Sequence, residues 1–233
     1  MGKADSRMYT ANSQMKMTLV LRFRINGNLR FLSHHESLSM FQRAFVRAKV
    51  DLCYSEGFNP RPKLSLPLPR SVGVASDDEL LYALVVGGEV SSGVLALGER
   101  ITRQLPTGCE IINVELLDGK TTFEAISAVY AFYLSKSACA EEIAAKVENV
   151  RRALACGEVL TVERRAGPNQ PCRAKDVSGY IDSVEFDAGR LMVKCNITRT
   201  GTVRVDEILQ VLEIDSSILS GPVKRKSVQW KCN

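Results

Sequence analysis

The sequence predicts an α+β protein made of two consecutive modules. Three observations carry this. Apolar spacing switches repeatedly between alternation and a period of about 3.6 residues. The elements so defined run strand, helix, strand, strand, helix, strand up to residue 119, which is the ferredoxin-like order. After the polar stretch "DGKTT" (118–122), the same order recurs less clearly to residue 233. The fold class is therefore two tandem ferredoxin-like modules, 17–119 and 120–233, each an antiparallel sheet with helices on one face. Residues 1–16 are polar, contain no apolar leader region, and are expected to be a disordered tail.

The first strand is "TLVLRFRI" (18–25). Leu19, Leu21, Phe23 and Ile25 face the core; Val20, Arg22 and Arg24 face the other way. "NGN" (26–28) turns the chain, and Ser33 with Glu36 has capping-box spacing for a helix ending near Ala48. Its stripe is Leu38, Phe41, Phe45 and Ala48. Residues 50–54 read as a strand, "SEGFNPRP" as a loop, and "KLSLPL" and "ELLYALVV" as further strands. "GVASDDE" (73–79) reads as a turn before the second of these. "SSGVLALGERITRQLPTG" is a helix closed by Pro106, and "CEIINVEL" a strand.

In the second half, "AISAVYAFYL" (125–134) is a strand and "SACAEEIAAKVENVRRALA" a helix. "EVLTVERR" is a strand and "AGPNQPCRAK" a loop. Two strands flank a turn at Asp187–Gly189, "RVDEILQVLEI" is amphipathic and helical, and "VKRKSVQWK" closes as a strand.

Composition excludes more than it assigns. The chain is 45% hydrophobic and 24% charged, with net charge +5, which permits an anionic partner without demanding one. No apolar run is long enough to span a membrane, so a cytoplasmic protein is expected. The seven cysteines are Cys53, Cys109, Cys139, Cys156, Cys172, Cys195 and Cys232. Their wide spacing contains no CxxC or CxxxC pair, so they read as free buried thiols, with no metal or cluster site in this chain. Walker, dinucleotide and nucleophile-elbow signatures are absent.

The candidate residues concentrate between 22 and 63. Helical rotation turns His34 along the buried stripe, where a core histidine and an acid–base or binding group are both open readings. Arg43 and Arg47 lie one turn apart on the opposite face, either solvated or gripping phosphates. The loop Tyr54–Lys63 is the most informative segment. Gly57 permits an unusual φ, and Pro60 and Pro62 stiffen the chain around Arg61. Tyr54 and Phe58 offer aromatic faces, Asn59 an amide, and Arg61 and Lys63 charge, a set that suits bases and phosphates. Arg22 and Arg24 share a sheet face that such a module can leave open.

The run 22–81 resembles a bacterial radical-SAM-associated domain family of unknown function. The match lies in Arg22, Arg24, Gly27, Arg30, Phe31, Ser33 and His34, then Arg43, Ala44, Arg47 and Ala48. It continues through "YSEGFNPRPK" and through Gly73, Ser76 and Glu79. Lys175–Asp176 and "GTVRVDEIL" carry a looser likeness in the second half. His35–Glu36 stands where the family has Leu–Asp. The resemblance implies a radical-SAM partner that carries the iron–sulfur cluster and S-adenosylmethionine, with neither bound in this chain.

The resulting expectation is an accessory RNA-binding protein, for tRNA or rRNA, serving that partner. Its contacts would be Arg22, Arg24, Arg30, His34, Arg43, Arg47, Tyr54, Phe58, Asn59, Arg61 and Lys63. Folding of the loop over the helix N-terminus would join His34, Arg61 and Lys63 around one anion. Two alternatives stand beside it. One is a metal-independent endoribonuclease-like enzyme with His34 as general acid or base. The other is a pure interaction scaffold for the radical-SAM partner.

Overall fold

The computed structural model describes residues 15–87, 93–165 and 171–233. The first half contains strand β1 (Lys16–Ile25), helix α1 (His34–Arg47), β2 (Leu64–Ser65), β3 (Ala75–Val86), α2 (Val94–Thr102) and β4 (Cys109–Asp118). The second contains β5 (Phe123–Tyr133), α3 (Ala140–Cys156), β6 (Thr161–Arg165), β7 (Cys172–Asp176), β8 (Ile181–Asp187), β9 (Arg190–Asn196), α4 (Val205–Val211) and β10 (Lys224–Cys232). The architecture is α+β, with one large, mostly antiparallel sheet and four described α-helices.

The sheet runs β4-β1-β3-β10-β5-β9-β8, with β2 also pairing β3; β6 and β7 form a separate ribbon. Within each half the order is the same: last strand, first strand, then the third beside the second. A short parallel contact between β3 and β10 joins the halves, through Ala75↔Lys224 and Ser76↔Arg225.

Alternation along β1 builds the first core. Leu19, Leu21, Phe23 and Ile25 cluster with Met40, Phe41 and Phe45 of α1 and with Leu97 and Ile101 of α2. Phe23 and Phe41 meet edge to face, centroids 4.6 Å apart. The second core gathers Tyr130 and Phe132 of β5, Val147 of α3, Leu191 and Val193 of β9, and Ile208 of α4.

The back of the first half is not an open platform. Thr18, Val20, Leu80 and Leu84 are buried there. Register places Thr18 beside Leu84 and Arg22 beside Leu80. The connection from β4 to β5 covers part of this face: Thr18 donates to the Gly119 carbonyl at 2.8 Å, Thr121 N–H donates to Thr18, and Tyr82 meets the Phe123 ring. The cause is apolar content on both faces of β3, which marks a strand covered on both sides.

Four local expectations are corrected. Residues 50–54 form only isolated bridges, Leu52 to Val85 of β3 and Tyr54 to Pro62; on the hairpin arm facing Tyr54, Pro60 and Pro62 have no N–H for a ladder. Only Leu64–Ser65 of "KLSLPL" is a strand, ending ahead of Pro67. "ASDDE" is the start of β3 rather than a turn. Cys172–Lys175, expected in a loop, belongs to strand β7 (Cys172–Asp176), whose polar text shows no apolar period. Residues 166–170 of that expected loop lie outside the described residues, as do 1–14 of the expected tail and 91–92 of the second helix.

The acidic run opening β3 fastens β10. Glu79, opposite Phe23, and Arg225, opposite Tyr130, both point to the helix-covered face. Arg225 Nη1 donates to both Glu79 oxygens at 2.9 and 3.1 Å, Nη2 to the Pro69 carbonyl at 2.8 Å, and Nε to Tyr130 at 3.3 Å. Asp78 accepts from Arg22 at 2.5 Å and from Val228 N–H at 2.9 Å. Asp77 accepts from Lys224 at 3.1 Å and also from Lys226.

This seam is expected to weaken in acid. Burial pushes the Asp77 carboxyl up, but hydrogen bonds and charge from Lys226 and Lys224 outweigh it and hold Asp77 below the ordinary carboxylate range. A pKa lower in the folded than in the unfolded state gives stability that is complete above the unfolded pKa of about 3.9. That stability is lost as pH falls through the folded value. Denaturant midpoints measured down an acid series should fall less steeply for Asp77→Asn than for the parent protein. Parallel curves would show that Asp77 is uncoupled from folding.

Candidate nucleic-acid interface at the end of helix α1

The capping box forms as read: Ser33 Oγ accepts from Glu36 N–H at 3.2 Å, and the Glu36 carboxylate accepts from Ser33 N–H at 2.8 Å. At its other end α1 closes in a Schellman motif. Val50 N–H donates to the Phe45 carbonyl at 3.0 Å and Lys49 N–H to the Val46 carbonyl at 3.1 Å. Lys49 occupies the left-handed position with φ of 54°, where glycine is the usual residue. A cation therefore stands at the negative end of the helix dipole.

Beyond it the chain forms a hairpin. Ser55 N–H donates to the Arg61 carbonyl and Lys63 N–H to the Cys53 carbonyl, both at 2.8 Å. Arg61 N–H donates to Ser55 Oγ at 3.0 Å. The base is clamped to β3 by Cys53 N–H on the Leu84 carbonyl (2.8 Å) and Leu84 N–H on the Lys63 carbonyl (2.9 Å). Gly57, with φ of 122°, turns the tip. Phe58 beside it is fully exposed, at 106% of its reference area, and Tyr54 is exposed at 45%. A groove of about 560 Å³ runs between the hairpin base and the end of α1, lined by Val46, Lys49, Asp51, Leu52, Tyr54 and Val86.

The predicted residues divide into two groups. Arg43, Arg47, Tyr54, Phe58, Asn59, Arg61 and Lys63 all lie on the second half of α1 or on the hairpin, and all are exposed. Lys49, which sequence reasoning missed, joins them. Its signal was a lysine immediately after the predicted helix end. No acidic partner among the described residues pairs with Arg43, Arg47, Lys49, Arg61 or Lys63.

The other group is engaged or elsewhere. Arg22 is paired with Asp78, and Arg24 with Glu110 at 3.4 Å. Arg30 donates to the Gly27 carbonyl at 2.8 Å and stacks on Phe31 at 4.3 Å. His34 opens α1 and lines a cleft of about 20 Å³ with Ser37, Arg70 and Glu79, space for one water. Arg70 closes that cleft by donating to the carbonyls of Arg30 and Val74 at 2.7 and 2.6 Å.

The joint site of His34, Arg61 and Lys63 does not form. The Lys63 backbone bonds Leu84, while His34 shares its cleft with Glu79, five positions earlier on β3. At about 3.4 Å per residue that is roughly 17 Å. The hairpin packs at the C-terminal end of α1, not over its N-terminus, because its base is tied to the far end of β3. His34 therefore stands apart from the Arg61 and Lys63 backbone, which the endoribonuclease alternative would set beside it.

The cysteines are less buried than the sequence indicated. Cys109 and Cys195 are buried, Cys53 is half-buried, and the other four are exposed. Burial pushes the thiols of Cys109 and Cys195 up to about 12, so neither is a nucleophile near neutral pH. Among the described residues no group of three His, Cys, Asp or Glu could hold a metal ion. No described helix is long and apolar enough to cross a membrane.

A family model described as "uncharacterized protein conserved in bacteria (DUF2344)" matches residues 18–210, from β1 through α4. The chain belongs to this family. The DUF2344 match takes in the capped helix, the hairpin and the β6–β7 ribbon, and stops short of β10. No curated protein matches the chain.

Proposed function

We propose that this protein binds single-stranded RNA through the hairpin 53–63 and the adjoining end of α1, as an accessory to a radical-SAM enzyme. One observation carries the reading. Five exposed cations without an acidic partner among the described residues share the hairpin and the end of α1 with two exposed aromatic rings, on a backbone braced by three hydrogen bonds. Bare aromatics supply stacking faces that any base can use, and unpaired cations supply phosphate contacts. The groove beside Tyr54 is large enough for one nucleotide.

The radical-SAM partner comes from the resemblance of residues 22–81 alone. The partner would bring the cluster and S-adenosylmethionine, and this chain would position the RNA. The two halves are read as tandem ferredoxin-like modules fused edge to edge, a reading supported by their shared strand order.

Binding to total cellular RNA, measured over a salt series, tests the proposal. The parent protein should bind with steep salt dependence. Arg61→Ala/Lys63→Ala should flatten the plot of log K against log salt by about 1.4, for two single-strand phosphate contacts at roughly 0.7 each. Absence of binding at low salt would overturn the RNA reading and direct the search to a protein partner.

A further inference from the structure

A second cationic feature lies on the ribbon. Register sets Arg164 opposite Arg173 and Val162 opposite Lys175, so the four share one face. Val162 is buried in the second core and anchors the ribbon. Two arginines directly opposite repel one another. Glu207, buried on α4, pairs with Arg164 and relieves that repulsion from one side. Arg173 is exposed, and no described acid pairs with it or with Lys175.

Lys175 is nevertheless held in place. Its ammonium sits 5.0 Å from the centre of the Tyr180 ring. Tyr180 Oη lies 3.2 Å from Thr200 Oγ1, which lies 2.8 Å from Thr198 Oγ1. Gly201, with φ of 129°, lets this threonine loop turn in against Lys175. The neighbouring carboxylate faces away: Asp176 accepts from Ser178 N–H at 2.9 Å and from Ser178 Oγ at 2.6 Å. The Tyr180 phenol is held below its ordinary range, first by the Thr200 hydrogen bond, against the opposing effect of burial, with the Lys175 charge adding to the lowering.

A fixed ammonium with no counter-ion, beside hydroxyls and a free guanidinium, has the donor set that recognises a phosphate. We infer that Lys175, Arg173 and the Tyr180–Thr200 hydroxyls bind a backbone phosphate of the RNA strand, at a site separate from the hairpin. The inference rests on the RNA-binding reading and extends it to a two-point grip, one point in each half of the chain.

The test uses the full chain, a labelled single-stranded RNA of mixed sequence and a salt series. Arg173→Ala/Lys175→Ala should flatten the slope by about 0.7, for the one phosphate held there, and combination with Arg61→Ala/Lys63→Ala by about 2.1, since the contacts are separate. Thr200→Val keeps every charge, so it should weaken binding at an unchanged slope. It carries the test by itself if the double variant fails to fold. A ribbon variant with the parent slope and affinity, against intact parent binding, overturns the ribbon site and leaves the hairpin reading standing. Loss confined to the ribbon variant supports the ribbon and sinks the hairpin. No RNA binding by the parent protein overturns both.

Discussion

Arg225→Ala is expected to destabilise the protein by about 3–5 kcal/mol, the cost of leaving one member of a buried ion pair unpaired. The side chains of Arg225 and Glu79 are 2% and 5% exposed, so water cannot replace either partner. Removal of the guanidinium also strips donors from the Pro69 carbonyl and the Tyr130 hydroxyl. Arg70 feels the charges of both Glu79 and Arg225, but its Nη1 is already engaged with the carbonyls of Arg30 and Val74 and offers Glu79 no replacement bond. Against a total stability of about 5–15 kcal/mol, this loss is a large share.

The loss should also be uneven. Among the described residues, strand pairing between the halves is confined to Ala75↔Lys224 and Ser76↔Arg225, so side chains fasten much of the seam. Urea unfolding followed by two probes, Trp230 fluorescence for the second half and far-ultraviolet dichroism for the whole, should coincide in the parent protein. In Arg225→Ala the two curves should separate. A single unshifted transition would show that the seam contributes little. Glu79→Gln retains the shape of the side chain and removes its charge, so it should fall between the two.

Much of this was legible in the sequence because it rests on local rules. The cap at Ser33, the stripe through Phe41 and Phe45, the alternation of β1 and the turn at Asp187–Gly189 are each read from spacing alone. The seam was not. The acids at 77–79 and the bases at 224–226 are runs of equal length and opposite sign, yet nothing local says they meet across about 150 residues. Arg22 lies on the face of β1 that alternation gives it, and its pairing with Asp78 is set by the β1–β3 register, a contact across 56 residues that local spacing does not show. The hairpin residues were legible by type: glycine, two prolines, two aromatics and two cations have no core role. Which end of α1 they would reach was set by the far end of β3. The ribbon escaped notice because Val162 is its only buried residue, too little for an apolar period.

Phe58→Ala is expected to weaken RNA binding by roughly 5- to 150-fold, equivalent to about 1–3 kcal/mol for one stacked base, with no loss of stability. The two halves of that expectation have different origins. Phe58 is fully exposed, so its truncation removes no packing, and surface changes of this kind stay within about 0.5 kcal/mol. The hairpin hydrogen bonds are made by Cys53, Ser55, Arg61 and Lys63, so the tip keeps its shape without the ring. An aromatic held in water on such a support loses little entropy when a base covers it, which is the condition for stacking to add affinity. Because no charge is removed, the salt slope should match the parent, unlike that of Arg61→Ala/Lys63→Ala. Phe58→Trp should restore binding, because its larger face still stacks. A drop in melting temperature would assign the ring to packing. Unchanged affinity in Phe58→Ala, with the parent's binding intact, would remove stacking from the mechanism and leave the hairpin as a carrier of charge alone.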